Sequence, residues 1–193
     1  MNPFMVLIGA ALVNNYVLTQ FLGMCPFFGV SNKTETALGM GFAVLFVMTL
    51  ASAITHPFYH YILVPLNAGY LQTVVFILII ASLVQFVEMF LKKSFRALYA
   101  SLGIFLPMIT TNCAIFGVTL INVKDPHSFT EAVVNSAGAG IGFLLALLLL
   151  AGVREKSDNN PDIPEIFKGF PLALFSAGLM SIALMGFQGL IKF

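Results

Sequence analysis

Residues 22–30 read LGMCPFFGV and residues 110–118 read TTNCAIFGV. The chain's only two cysteines, Cys25 and Cys113, thus occupy one frame, Cys-x-x-Phe-Gly-Val, repeated 88 positions apart within 193 residues. Each frame also carries residues that interrupt a helix: Gly23, Pro26 and Gly29 around the first, Pro107 and Gly117 around the second. Proline lacks an N–H donor, and glycine tolerates backbone angles that other residues avoid. The helices carrying the thiols are therefore expected to be discontinuous near them.

Outside the frames the chain is 59% apolar and 9% charged, with a mean hydropathy of +0.98. A soluble domain carries about 25% charged residues, so this composition predicts an integral membrane protein. A net charge of +1 offers no basic surface for nucleic acid. Residues 1–20 lack a basic leading segment and a small-residue cleavage site, which predicts a retained membrane segment. A bilayer core takes about 20 apolar residues per helix, and six segments meet that test: 4–23, 38–58, 70–91, 99–121, 131–153 and 170–191. No soluble domain fits between them.

The halves match beyond the thiols. Val30 is followed by Gly39-Met-Gly41, and Val118, after a longer polar break, by Gly138-Ala-Gly140. The expectation is an all-α integral membrane protein, one membrane domain over 1–193, built as two three-helix repeats, 1–91 and 92–193. An odd number of spans inverts the second copy, placing a pseudo-two-fold axis in the membrane plane. Helices 1 and 4 are the discontinuous ones. Seven of the nine Lys and Arg fall in breaks one, three and five or at their ends: Lys33, Lys92, Lys93, Arg96, Arg154, Lys156 and Lys168. Lys124 and Lys192 lie on the other side. The positive-inside rule then puts loops 31–36, 92–98 and 154–168 in the cytoplasm and both termini outside.

Straight helices would hold the two sulfurs roughly 20 Å apart in depth. Broken helices allow them to converge at the axis, where interrupted membrane helices place backbone amides and polar side chains. Two converging thiols have three chemistries open to them: a disulfide, two inert buried hydrophobes, or half of a four-thiolate iron–sulfur site. No Cys-x-x-Cys is present to decide among them.

Six stretches carry a resemblance that spacing alone does not give: LVNNYVLTQFLGMCPFFGVS (12–31), TALGMG (36–41), VQFVEM (84–89), LGIFLPMITTNCAIFGV (102–118), GVREK (152–156) and AGLMSIALMGFQGL (177–190). Through them the whole chain resembles the RnfA/NqrE family of ion-translocating electron-transport complexes. Val13-Asn14-Asn15 is similar to the Rnf version, where the Nqr counterpart tends to be acidic. The resemblance implies a redox subunit of a bacterial or archaeal cytoplasmic-membrane translocase, a ferredoxin:NAD⁺ oxidoreductase coupled to Na⁺ or H⁺ movement, without independent catalysis. It implies pairing with a homologous membrane protein of opposite topology, RnfE, beside RnfB, RnfC, RnfD and RnfG. It further implies that Cys25 and Cys113 supply half the ligands of a shared intramembrane [2Fe–2S] cluster through which electrons cross the bilayer. Flavins are expected on other subunits only.

Hydrogen bonds to sulfur tune such a site. Candidate donors are the amides around Gly29 and Gly117 and the side chains of Thr110, Thr111 and Asn112, with Asn14 and Asn15 as site-lining residues. Interhelical bonding is the plainer role for such groups. Glu88, four residues before Lys92, reads as a snorkelling ion-pair partner or a cation ligand. His56 and His60 flank Pro57 and are expected at the surface. The alternative function is a small secondary transporter with its substrate site at the broken helices; the lack of charged residues beside the breaks weighs against an ionic substrate.

Overall fold

The computed structural model describes residues 7, 9–13, 15–65, 69–94, 106–124, 128–158, 161, 163–164 and 166–188, and no strand occurs among them. The helical elements are α1 (Gly9–Val13, a π turn), α2 (Tyr16–Thr19), α3 (Met24–Val30), α4 (Thr34–Phe58), α5 (Gln72–Ser94), α6 (Leu106–Thr110), α7 (Cys113–Lys124), α8 (Phe129–Asp158) and α9 (Phe170–Gln188). Thr34–Leu63, Gly69–Phe90 and Phe129–Asp158 are long and apolar enough to cross a membrane, and Phe170–Gly186 is a shorter apolar helix. The first and fourth expected segments appear as short pieces, α1 to α3 and α6 to α7; Gly23 lies at the first interruption and Thr111-Asn112 at the second.

α4 and α8 form the central pair. A side chain at Gly41 would collide with Leu144, and one at Gly140 would come within 2.9 Å of the Leu45 Cα. The contact is reciprocal: the glycine of each helix receives the leucine four residues beyond the glycine of the other. Position rises from 41 to 45 on α4 as it falls from 144 to 140 on α8, so the helices run antiparallel. The second glycine of each Gly-x-Gly frame thus lies where α4 and α8 meet, because absence of a Cβ lets the backbones approach. α1 lies parallel to α8, with Leu7 O at 2.8 Å from a Cβ built on Gly138 and Ala11 O at 2.8 Å from one built on Gly142.

Several boundaries differ from the sequence expectation. α4 begins at Thr34, which shortens the break expected over 31–36 to 31–33. It passes through Pro57 and widens into a π turn over Tyr59–Leu63, a way of re-pairing backbone groups that proline frees. α8 runs to Asp158, so the first five residues of the expected loop 154–168 are helical. Its start is fixed by the Ser128-x-x-Glu131 pattern, in which the Ser128 amide donates to Glu131 Oε2 at 3.1 Å. His56 is 7% exposed rather than superficial, its ring 5.1 Å from that of His60 on the protein surface. Residues 95–105, which include part of loop 92–98 and the start of segment four, lie outside the described residues, as does Asn14.

Candidate redox site at the helix breaks

The first break follows from three local features. Asn15 caps α2, its Oδ1 accepting the Val17 amide at 3.1 Å. The chain then turns through Phe21 and Gly23, both with positive φ (56° and 84°), before α3 begins. Glycine suits the left-handed region at position 23, and there is no room for more: a Cβ would lie 3.0 Å from both Ala114 Cβ and Phe143 Cε2. The second break is capped the same way, Asn112 Oδ1 accepting the Ala114 amide at 2.9 Å as α7 starts at Cys113.

The two breaks touch. The Gly23 amide donates to Cys113 Sγ at 3.0 Å. Cys25 follows two residues later, so its Cα lies within about 12 Å of that sulfur, since two residues of chain span at most about 7 Å. The discontinuities therefore bring the two thiols closer than the roughly 20 Å of depth that straight helices would impose. Both thiols are free and exposed on the surface of the chain, so they form no disulfide in this structure and are not buried within the chain itself. Cys25 lines a surface groove with Met24, Phe28, Gly29 and Phe170.

The other predicted residues divide. Asn112 is 3% exposed; its Nδ2 is buried without a partner among the described residues, directly beside Cys113. Thr111 is exposed, with its hydroxyl donating to Pro107 O at 3.2 Å, and Thr110 is half-buried on α6. Asn15 is buried, and its Nδ2 donates to Gly142 O at 2.9 Å, which ties the first break to α8. It serves interhelical bonding here, the plainer of its two roles. Glu88 is half-buried on α5, in a different element from the thiols.

Two expectations about amides are corrected. Gly117 lies inside α7, and a Cβ there would meet Leu22 Cδ1 at 2.8 Å, so the glycine makes room for the first break. Gly29 lies within α3 beside the Cys25 groove. The amide that reaches sulfur belongs to Gly23, which sits outside the repeated frame, so the sequence pattern does not mark it as a donor. Among the described residues no three His, Cys, Asp or Glu gather in one place.

A family profile described as "Rnf-Nqr subunit, membrane protein" matches residues 4–191. The chain is 55% identical over 190 residues to the A subunit of the Na⁺-translocating ferredoxin:NAD⁺ oxidoreductase complex of Acetobacterium woodii, covering 98% of each. It is 54% identical over 188 residues to the A subunit of the ion-translocating oxidoreductase complex of Aeromonas hydrophila, covering 97% of each. The same subunit of Vibrio vulnificus is 53% identical over 188 residues.

Proposed function

This chain belongs to the Rnf-Nqr family of multi-pass membrane subunits, and from that membership we propose that it is the A subunit of an Rnf-type ferredoxin:NAD⁺ oxidoreductase. The complex passes electrons across the cytoplasmic membrane with coupled movement of Na⁺ or H⁺. Cys25 and Cys113 hold, as thiolates, half the iron ligands of a [2Fe–2S] cluster. The other half comes from a homologous membrane protein of opposite topology, RnfE. When bound, such a cluster supplies a one-electron couple inside the bilayer.

The observation that carries this reading is the Gly23 amide on Cys113 Sγ, with both thiols free and facing outward. A neutral thiol is a weak acceptor; a sulfur bearing negative charge accepts strongly. The chain aims the amide of a buried glycine at a sulfur, and leaves Asn112 Nδ2 buried and unpaired next to it among the described residues. Buried donors are rarely left unmet, so the donor set suits a sulfur-rich anionic group. Ala114 and Phe143 place apolar bulk against Gly23. Two thiols are half of a four-thiolate set, which is why a second protein is required and why the sulfurs face out of the bundle.

Reciprocal packing of Gly41 on Leu144 and of Gly140 on Leu45 supports the arrangement as two inverted repeats, 1–91 and 92–193. Position i of α4 touches j of α8 and j's counterpart touches i's, a local two-fold relation of the kind an inverted repeat would give between these two helices. Six spans with both termini outside then place the N-terminal end of α4 and the C-terminal end of α8 together at the cytoplasmic face. The Thr34 hydroxyl bonded to Glu155 Oε2 at 2.7 Å accords with that placement. On this reading flavins reside on neighbouring subunits.

The test is iron content and electron paramagnetic resonance of the purified complex, wild type beside Cys25→Ser and Cys113→Ser. Each substitution is expected to remove the same [2Fe–2S] signal and transmembrane electron transfer with it. Retention of iron, signal and turnover in both variants would refute the proposal.

A further inference from the structure

The element that carries Cys25 is only seven residues long. A helix of that length is not stable by itself, so its position depends on what grips its ends. At the leading end the grip is the Gly23 amide on Cys113. At the trailing end the last carbonyls of α3 have no partners within the helix. Phe28 O is met from a distant part of the chain: Arg154 Nη1 donates to it at 3.0 Å and to Ser31 Oγ at 3.0 Å. Ser31 is fully buried and closes the helix. The Phe28 ring is meanwhile held edge-on by Phe27 and Phe170, at 5.5 and 5.4 Å.

Arg154 thus brings a charged side chain to the end of α3 where a cation complements the helix carbonyls. The contact is one turn beyond Cys25, about 4.5 Å along the helix axis. Arg154 Nε is buried without a partner among the described residues. One nitrogen of the guanidinium, Nη1, meets both the carbonyl and the hydroxyl, so the charge sits directly on the end of α3.

Resting on the redox reading above, we infer that Arg154 is a positioning residue for the Cys25 thiolate. Its guanidinium fixes the trailing end of α3, and with it the direction of Cys25. It also sets a positive charge beside the site, which favours the reduced form of whatever the thiolates hold. Removing the charge therefore lowers the midpoint potential, and removing the two Nη1 bonds loosens Cys25.

The experiment uses the complete complex with Arg154→Gln and Arg154→Lys. In Arg154→Gln, with subunit composition intact, the reduced-to-oxidised ratio of the cysteine-dependent signal at the wild-type midpoint is expected to fall at least tenfold, which is about 59 mV for one electron. Arg154→Lys, which keeps the charge, is expected to restore more than half of that shift. A second readout needs no cluster: in membranes carrying Cys113→Ser, the maleimide labelling rate of Cys25 should rise at least threefold with Arg154→Gln. An unchanged midpoint and an unchanged labelling rate would overturn the inference while leaving the cysteine result standing. Equal loss of iron from both variants, with the remaining signal unshifted, would also overturn it and reduce Arg154 to a stability contact. If the wild-type complex gives no cysteine-dependent signal, the redox reading itself fails and this inference with it.

Discussion

Gly23→Ala tests the geometry of the breaks most directly. The residue has φ of 84°, and a left-handed conformation costs a residue with a Cβ roughly 1–2 kcal/mol. The new methyl would also sit 3.0 Å from Ala114 Cβ, 3.0 Å from Phe143 Cε2 and 3.3 Å from Asn112 Oδ1. Ala114 and Phe143 are buried on separate helices with no freedom to withdraw, and overpacking of that kind costs about 1–3 kcal/mol. Together these give a destabilisation of about 2–5 kcal/mol, against total stabilities of about 5–15 kcal/mol. Relief requires the Gly23 amide to move off Cys113 Sγ, so Cys113 should become easier to alkylate. The assay pairs a thermal melt of the purified complex with maleimide labelling of Cys113 in membranes. Gly178→Ala serves as the reference, since nothing lies within 4 Å of a Cβ there; it should be neutral or slightly stabilising, by up to about 1 kcal/mol. If Gly23→Ala melts like Gly178→Ala and Cys113 labels at the wild-type rate, the left-handed turn and its contact with the second break are wrong.

The other expectations concern packing away from the thiols. Gly140→Ala should cost more than Gly41→Ala, because the first drives a methyl against the Leu45 Cα while the second meets the mobile tip of Leu144. Adding Leu144→Ala should relieve Gly41→Ala, whereas Leu45→Ala should leave most of the Gly140→Ala cost of about 1–3 kcal/mol in place; equal rescue in both, by thermal melt, would refute the reciprocal packing. Asn122→Leu should cost about 1–3 kcal/mol, since Asn122 Nδ2 lies 2.7 Å from Ser136 Oγ and 2.9 Å from Ser52 Oγ, and its Oδ1 accepts from Asn135 Nδ2 at 2.7 Å. Melting within about one degree of wild type, far less than such a loss implies, would show that this buried network contributes nothing.

The sequence revealed the parts of this molecule that depend on local chemistry. Hydropathy located the long helices α4, α5, α8 and α9, because each needs only a sustained apolar run. Gly23 marked the first break, because its left-handed turn acts on its own backbone, whereas Pro26 and Pro107 lie inside α3 and α6 and the second break falls at Thr111-Asn112. What remained hidden was partnership between distant residues. Asn122, Ser52, Asn135 and Ser136 are scattered over three helices, and their meeting depends on the rotation of each about its axis. The same holds for Arg154, which reads as one more cytoplasmic cation in a charge count. Its bond to Phe28 O exists only because α8 continues past the expected boundary at 153. Helix ends are set by charges that tolerate water on one side and by caps on the other, and hydropathy is blind to both. The Gly-x-Gly frames were legible as repeats but not as mutual contacts, since a sequence match carries no information about which surfaces face each other.

The breaks are costly, and the way the chain meets that cost bears on the proposed role of the thiols. In hydrocarbon every freed backbone group needs a partner. Around the first break the Thr19 hydroxyl reaches Asn15 O at 2.8 Å, the Leu22 amide reaches Tyr16 O at 3.1 Å, and the Ser181 hydroxyl reaches Leu18 O at 2.6 Å. Around the second, the Thr111 and Asn112 amides return to Pro107 O and Ile109 O, both at 3.3 Å. Each of these partners is an oxygen, supplied by a neighbouring turn or by another helix. Gly23 is treated differently: its amide is met by sulfur, the weakest acceptor among them unless that sulfur carries charge. Had the break served packing alone, a carbonyl or hydroxyl would stabilise that amide better, and serine would suit position 113. Cys113→Ser should therefore leave the melting temperature of the cluster-free subunit unchanged or raise it, because a hydroxyl accepts the Gly23 amide better than a neutral thiol. A clear fall in that melting temperature would mean that the sulfur is there to hold the fold, and its bond to Gly23 would no longer point to a charged sulfur.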